Sequence, residues 1–580
     1  MAKFVLGVLS GIFLCIFFFL LLIVAAAAVS SRAPAIADGS TLILDLNGEI
    51  VERNPSSVEA LLFQRGLKPT LRELHDMLQK AAADQRVNAI VLKPAGMGGG
   101  WGKTQEIRAG LEEFKKSKKP LLAFLQTAGM REYYLASAAN RIYLAPESLL
   151  DVKGLRAEVM FFKDTLGKLG IQAEMEHIGK YKSFSEAFTQ NKMSDPYREV
   201  TNSILDTLLE DFVTTIGKAR QMTPEKVREI LDRGPFLPQA AWQAGLADGL
   251  MYEDQVLDEV KKLTKVSSIK KLKPENYNQV SLDSLGLSGA NRIALVYAVG
   301  GIYSGEDDVD PLGGEQSMGA DTMTRLLQEV GEDSDIKGVI VRIDSPGGDG
   351  FASDQIWRQM NLLRSKKPVV ISLSDMAASG GYYIAMSGDP IVAYPGTYTG
   401  SIGLVAGKFN LRGLYDKIGL KKEVLSRGKF AEIDTDYRAF SPVERQKLLD
   451  EMNTFYRAFV QKVAEARKKK WEEIDALAQG RVWLGSQARQ IGLVDELGGF
   501  DRAIALVKER AKLKPEAKVT LVPYPPEKKL IDLLLARFGG LSGEDAVLRV
   551  WRSKLASFPH WRSLLGGGML KVAPYWINVQ

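Results

Sequence analysis

The sequence predicts two tandem α/β domains behind one N-terminal membrane-spanning helix. Three observations carry this: a long uncharged apolar run at the N-terminus, internal matches that keep one register, and short apolar runs alternating with amphipathic stretches. At 580 residues the chain exceeds one ordinary core, so two or three folding units are expected. A net charge of +6 is mild for this length, and without a long basic run it gives nucleic acid binding no support.

The apolar run extends from Phe4 to Val29, 26 uncharged residues between Lys3 and Arg32. At about 1.5 Å per residue it more than spans a hydrocarbon core of about 30 Å. A cleaved secretory signal has an apolar stretch of only about 7–15 residues, so residues 1–35 are expected to be an uncleaved anchor. Lys3 stays on the inner side and the body lies across the bilayer. Cys15, the sole cysteine, falls inside this run. That excludes a thiol nucleophile, a thiolate metal site and a disulfide framework for the rest of the chain. No HExxH motif is present, and no metal or cofactor is expected.

The repeat follows. "SKKPLLAF" at 117 returns as "SKKPVVIS" at 365, and "YYLASAANRIYLAP" at 133 as "YYIAMSGDPIVAYP" at 382. "DQRVNAIVL" at 84 matches "DSDIKGVIV" at 333, "LGKLGI" at 166 matches "YDKIGL" at 415, and "AGLADGL" at 244 matches "IGLVDEL" at 491. The copies are read as 40–265 and 290–515, joined by the polar, Lys-rich "KKLTKVSSIKKLKPENYNQ". The tail, 516–580, has no counterpart in the first half and no assigned role. Within a copy, "RIALVYAV", "DTMTRLLQEV", "GVIVRIDS", "SDQIWRQMNLLRS" and "PVVISLS" alternate strand and helix, which predicts mainly parallel pairing. Each copy ends in long amphipathic helices whose charged faces read as solvated surface.

The two copies differ where chemistry would sit. "MAASGGYYIAM", 376–386, places Ser379 in a small-residue turn, and a serine nucleophile needs a base. The chain has three histidines, none between His177 and His560. At the register of Ser379 the first copy has Met130, with Arg131 and Glu132 opposite Gly380 and Gly381. "RIDSPGGDG" at 342 faces "KPAGMGGG" at 93, so glycines survive while Ser345 and Pro346 do not. Adjacent glycines after a strand can turn backbone N–H groups toward an oxyanion; a plain tight turn accounts for them as well. "IGKYKSFSE" at 178 aligns with "RGKFAEIDT" at 427, pairing Lys180 with Lys429 but Lys182 with Ala431. Most lysines are surface charges, but this reciprocal loss suggests a Ser-Lys dyad split between the copies. A first-copy lysine then crosses an interface to reach Ser379, and residue 431 faces the next copy's Met130. As a base, Lys182 must be neutral, so burial away from carboxylates has to depress its pKa from about 10.4. Ser401 in "TYTGSIG", where the first copy has Val152, is a candidate to orient the amine; a turn serine is the other reading.

"IDSPGGDG", "MAASGGYYIAM", "TGSIG" and "GKYKS", on two copies behind one anchor, resemble the long-form signal peptide peptidase A (protease IV) family of serine peptidases. The resemblance covers both repeats and the anchor. It implies a Clp-protease and crotonase-like fold, Ser379 as nucleophile, Lys182 as general base, and Gly347 or Gly348 with Gly380 as oxyanion donors. It also implies Ser401 as support for the lysine. Membrane-anchored homotetramers on the periplasmic side of the bacterial inner membrane are expected. Their partners are the lipid bilayer, released signal peptides and other apolar peptides. Two rival readings are a crotonase-like acyl-CoA enzyme and an anchored scaffold with a vestigial dyad.

Overall fold

The computed structural model describes residue 11 and residues 36–54, 68–307, 317–526, 570–572 and 578–579. Apart from Gly11, the expected anchor lies outside them. Among the described residues no helix is long and apolar enough to cross a membrane.

Two α/β sheets dominate. The first runs, edge to edge, through Gly249–Leu250, Arg141–Leu150, Leu121–Ala128, Val87–Met97, Ser40–Gly48 and Lys270–Leu272, all parallel. The second runs through Val482–Leu484, Tyr398–Gly400, Val369–Ala378, Ile336–Ser345, Asn291–Val299 and Val519–Tyr524. Only its Val482–Leu484 edge is antiparallel. Both faces are covered, which is why these strands read as continuous apolar runs. Alternate residues go to opposite cores: Ile293, Leu295 and Tyr297 to one, Ala294, Val296 and Ala298 to the other.

The core containing Ile293 and Leu295 is shared between the repeats. Helices Leu71–Ala83 and Trp101–Lys115 of the first repeat place Leu74, Leu78, Ile107 and Leu111 in it, together with Ile340 and Val370 of the second sheet. The first repeat's helices are thus a filling between two sheets. The Leu71–Ala83 helix starts with a full capping box, Thr70 with Glu73, of the kind that contributes about 1 kcal/mol.

Both sheets extend past the boundaries read from sequence. Lys270–Leu272 closes the first and Val519–Tyr524 the second, in the same repeat register. The start of the tail therefore has a first-half counterpart. The correction has a plain cause: a three-residue edge strand spelled Lys-Lys-Leu has linker composition and takes its identity from the edge it joins.

A third sheet ties the copies together. Its order is Ser317–Gly319, Gly301–Tyr303, Gly347–Asp349, Leu570–Val572, Leu404–Asn410, Gln172–Ile178. Gln172–Ile178, from the first repeat, lies antiparallel to Leu404–Asn410 of the second, with Ile178 opposite Leu404.

Candidate active site

The strand Val369–Ala378 ends at Ser379, and helix Gly380–Ala385 begins immediately after it. Ser379 has φ 57° and ψ −113°, a conformation nearly reserved for glycine that costs about 1–3 kcal/mol. Neighbours hold it there: its N–H donates to Gly400 O at 2.8 Å, and its carbonyl accepts from Tyr383 N at 2.9 Å. The glycines that follow are demanded by space. A Cβ at 380 would stand 2.7 Å from Ser353 Oγ and 3.1 Å from Gly348 N, and one at 381 would stand 2.6 Å from Ser345 O.

Lys182 arrives from the other repeat. The strand Gln172–Ile178 delivers it through a left-handed Gly179 (φ 105°) into a loop seated on Gln479–Gly480. Tyr181 N–H donates to Gln479 O at 2.8 Å, and a Cβ on Gly480 would stand 2.5 Å from Lys182 Cβ. Tyr181 and Arg481 both reach Glu199, and the Arg481 guanidinium lies over the Tyr181 ring at 4.9 Å. The side chain of Lys182 ends fully inside: the residue is 1% exposed, and Ser379 and Ser401 are 0%. Its Nζ lies 2.8 Å from Ser379 Oγ, 2.9 Å from Ser401 Oγ and 2.9 Å from the Ser401 carbonyl oxygen. Ser401 is also left-handed, φ 52°, held by its N–H donating to Arg481 O at 2.7 Å.

The glycine turn completes the site. Buried Ser345 donates its hydroxyl to Gly300 O at 2.7 Å and accepts the Gly347 N–H at 3.2 Å. That commits the Gly347 N–H to a side chain, while Gly348 N lies 3.1 Å from where a Cβ on Gly380 would stand, so the two glycines approach each other next to Ser379. Gly380 is the first residue of its helix, where an N–H has no intrahelical acceptor. Gly348 has φ 156°, and a Cβ there would fall 2.1 Å from Ile302 O. Between Gly347–Asp349 and Leu404–Asn410 the sheet has room for one strand, filled by Leu570–Val572, antiparallel to both.

The first copy's counterpart is closed. Met130 begins the ordinary helix Met130–Ala136 and is absent from the residues with positive φ, so the backbone strain is missing where the serine is missing. Glu132 accepts the N–H groups of Met97 (2.8 Å) and Gly129 (3.1 Å), and Arg131 donates to Met97 O at 2.9 Å. Side chains thus tie the Met97 turn to the start of the Met130–Ala136 helix in the first copy. Ala431 and Lys429 are exposed, as is Lys180, whose Nζ lies 4.5 Å over the Tyr181 ring. Sequence reasoning missed the Gln479–Arg481 ledge and the role of Ser345. The ledge has no signal in sequence, but the loss of Ser345 from the first copy was such a signal.

Comparison with known proteins places the chain in a family. Residues 113–267 and 361–514 match peptidase family S49, one stretch in each repeat. The chain is 35% identical over 520 residues to "Serine protease SPPA, chloroplastic" of Arabidopsis thaliana, covering 89% of this chain and 76% of that protein. It is 32% identical to "Protease 4" of Salmonella typhi, covering 86% and 82%, and 29% identical to "Protease 4" of Haemophilus influenzae, covering 82% and 76%. With two matched repeats and relatives of this extent, the chain is a serine-type peptidase and belongs to peptidase family S49.

Proposed function

We propose that this chain is a membrane-anchored endopeptidase that uses a Ser379–Lys182 dyad to degrade signal peptides after their release. The observation that carries this is the 2.8 Å separation of Lys182 Nζ and Ser379 Oγ in a buried pocket. Ser379 Oγ attacks the scissile carbonyl while Lys182 takes its proton, and Lys182 then gives that proton to the leaving amine. Water hydrolyses the acyl-enzyme by the same route in reverse. Burial makes an amine easier to deprotonate than it is in water, which suits Lys182 to the role of base. Ser401 holds Nζ in line. The Gly348 and Gly380 N–H groups stabilise the oxyanion, a task for which one donor is worth about 10²–10³ in rate.

The fold, of the Clp-protease and crotonase type, offers the substrate a strand position between Gly347–Asp349 and Leu404–Asn410. An extended peptide enters it by backbone pairing, the position that Leu570–Val572 fills in the free chain. The apolar run Phe4–Val29 holds the enzyme at a bilayer, where spent signal peptides remain. The working form is a homotetramer on the periplasmic face of a bacterial inner membrane. The exposed Ile418, Leu420, Val424 and Leu425 supply apolar surface for contact between copies.

The test is hydrolysis of an apolar signal-sequence peptide by full-length enzyme in detergent, with Ser379→Ala and Lys182→Ala alongside. Both variants should lose at least about 10⁴-fold in kcat, and a fluorophosphonate should label the wild type at Ser379. Full turnover by either variant would sink the dyad. Absence of labelling together with acyl-CoA turnover would favour the crotonase-like reading.

A further inference from the structure

At the strand ends that lead to Ser379 and to the Gly347 turn the two repeats share a largely buried charge cluster for which the dyad chemistry has no use. Lys103, in the first repeat's helix Trp101–Lys115, places Nζ 2.7 Å from Asp344 Oδ2 and 3.6 Å from Asp375 Oδ2. Asp344 lies on Ile336–Ser345, three residues before Gly347; Asp375 lies on Val369–Ala378, four residues before Ser379. One first-repeat ammonium therefore bridges the two strands that deliver the oxyanion turn and the nucleophile.

Backbone contacts reinforce the bridge. Asp344 Oδ1 accepts the Met376 N–H at 3.1 Å, inside the irregular stretch where the pairing of these two strands shifts register. Asp375 accepts the N–H groups of Gly100 (2.7 Å) and Lys103 (2.8 Å), so it caps a helix of the other repeat. The same helix in the second repeat is capped by its own Asp349, at the register where the first repeat has Gly100. A Cβ on Gly100 would stand 2.6 Å from the Asp375 carboxyl, so the glycine admits the foreign cap. Lys103, Asp344 and Asp375 face Ala352, Ala95 and Gln126 in the repeat register. Each member of the trio occurs in one copy only, the same reciprocal pattern as the dyad.

We propose that Lys103 is a positioning residue for Ser379: bound to Asp344 and Asp375, it fixes the irregular end of the nucleophile strand against the oxyanion turn. This role presupposes the Ser379–Lys182 reading. The groups facing Asp344 are Lys103 from the helix, Asp375 from the nucleophile strand and Glu52 from the segment after Ser40–Gly48. Arg342, on the same strand as Asp344, is itself held by Glu52 and Glu106. Burial pushes the Asp344 carboxyl up to about 6, with Asp375 and Glu52 adding to the rise and Lys103 opposing it. Below that pH the bridge loses its Asp344 carboxylate, the nearer of its two anions. The dyad alone gives one ionisation on the acid side, and Asp344 adds a second, lower break in the slope of log(kcat/KM).

Two substitutions should move that break in opposite directions. Lys103→Met removes the opposing charge and moves it to higher pH. It also lowers kcat and the rate of fluorophosphonate labelling by about 10- to 100-fold, the cost of a misplaced nucleophile, and Lys103→Arg recovers most of it. Asp375→Asn removes a like charge and moves the break to lower pH. Unchanged kcat per labelled site in Lys103→Met, or a break that stays put in both folded variants, would overturn the role. If Lys103→Met yields no folded enzyme, Asp375→Asn decides alone: a lowered break supports it, an unmoved one refutes it. Failure of the dyad itself is distinguishable, because Ser379→Ala would then keep its activity.

Discussion

Ser379 holds a backbone conformation that side chains avoid, and its counterpart Met130, without chemistry, does not. The strain thus goes with the serine and is absent where the serine is absent. Ser379→Gly should stabilise the fold by about 1–3 kcal/mol while abolishing turnover, a gain readable as a raised denaturant midpoint in the inactive variant. The lysines of "GKYK" separate along the same lines. Exposed Lys180 lies over the Tyr181 ring at the surface, so Lys180→Ala should stay within about twofold of wild type in kcat/KM, as expected for a surface site. A loss comparable to that of Lys182→Ala would reassign the base. The approach of Lys182 to Ser379 was legible in the sequence because duplication supplies an internal control: Ala431 stands where the copy that keeps the serine lacks the lysine. The commitment of the Gly347 N–H to Ser345 leaves no periodicity to read, and its one trace in the sequence is the absence of that serine from the first copy.

The sheet elements carry the second lesson. Alternating apolar runs announced the long central strands, whose two faces enter separate cores. Lys270–Leu272 escaped, because a short charged edge strand gains its stability from its neighbour's unpaired backbone rather than from its own side chains. The third sheet was invisible for a related reason: the first repeat lends it a single strand, Gln172–Ile178, and pairing partners more than 200 residues apart have no local signature. Its slot yields a measurable consequence. A peptide that enters as a strand competes with Leu570–Val572, so a chain ending at Pro526, which keeps Val519–Tyr524, should show a lower KM with kcat little changed. An unaltered KM would mean that the substrate takes another path.

At the scale of the whole molecule, the interface between the repeats is built from charge as well as from apolar packing. Arg342, fully buried, binds Glu52 at 3.0 Å and Glu106 at 2.6 Å, both from the first repeat. Arg342→Leu would strand two buried carboxylates and should cost about 3–5 kcal/mol by chemical denaturation. A second contact, His75 to Asp501 at 2.9 Å, links helix Leu71–Ala83 to helix Phe500–Arg510. Burial opposes charge on His75, but the bond to Asp501 and the Asp76 carboxylate 3.6 Å away prevail and push the imidazole up to about 9. A folded pKa raised above the unfolded value gives stability that is complete below about pH 6.5 and lost as pH rises through about 9. The denaturation midpoint should fall across that window in wild type and stay flatter in His75→Gln. The ledge at Gln479–Arg481, on which the lysine loop rests, also bears on biosynthesis. A ribosome releases Lys182 early and Ser379 some two hundred residues later, and their alignment waits for a support made later still. On the proposed mechanism a chain that stops short of Gln479 is therefore chemically silent, and the cell is shielded from a protease under construction.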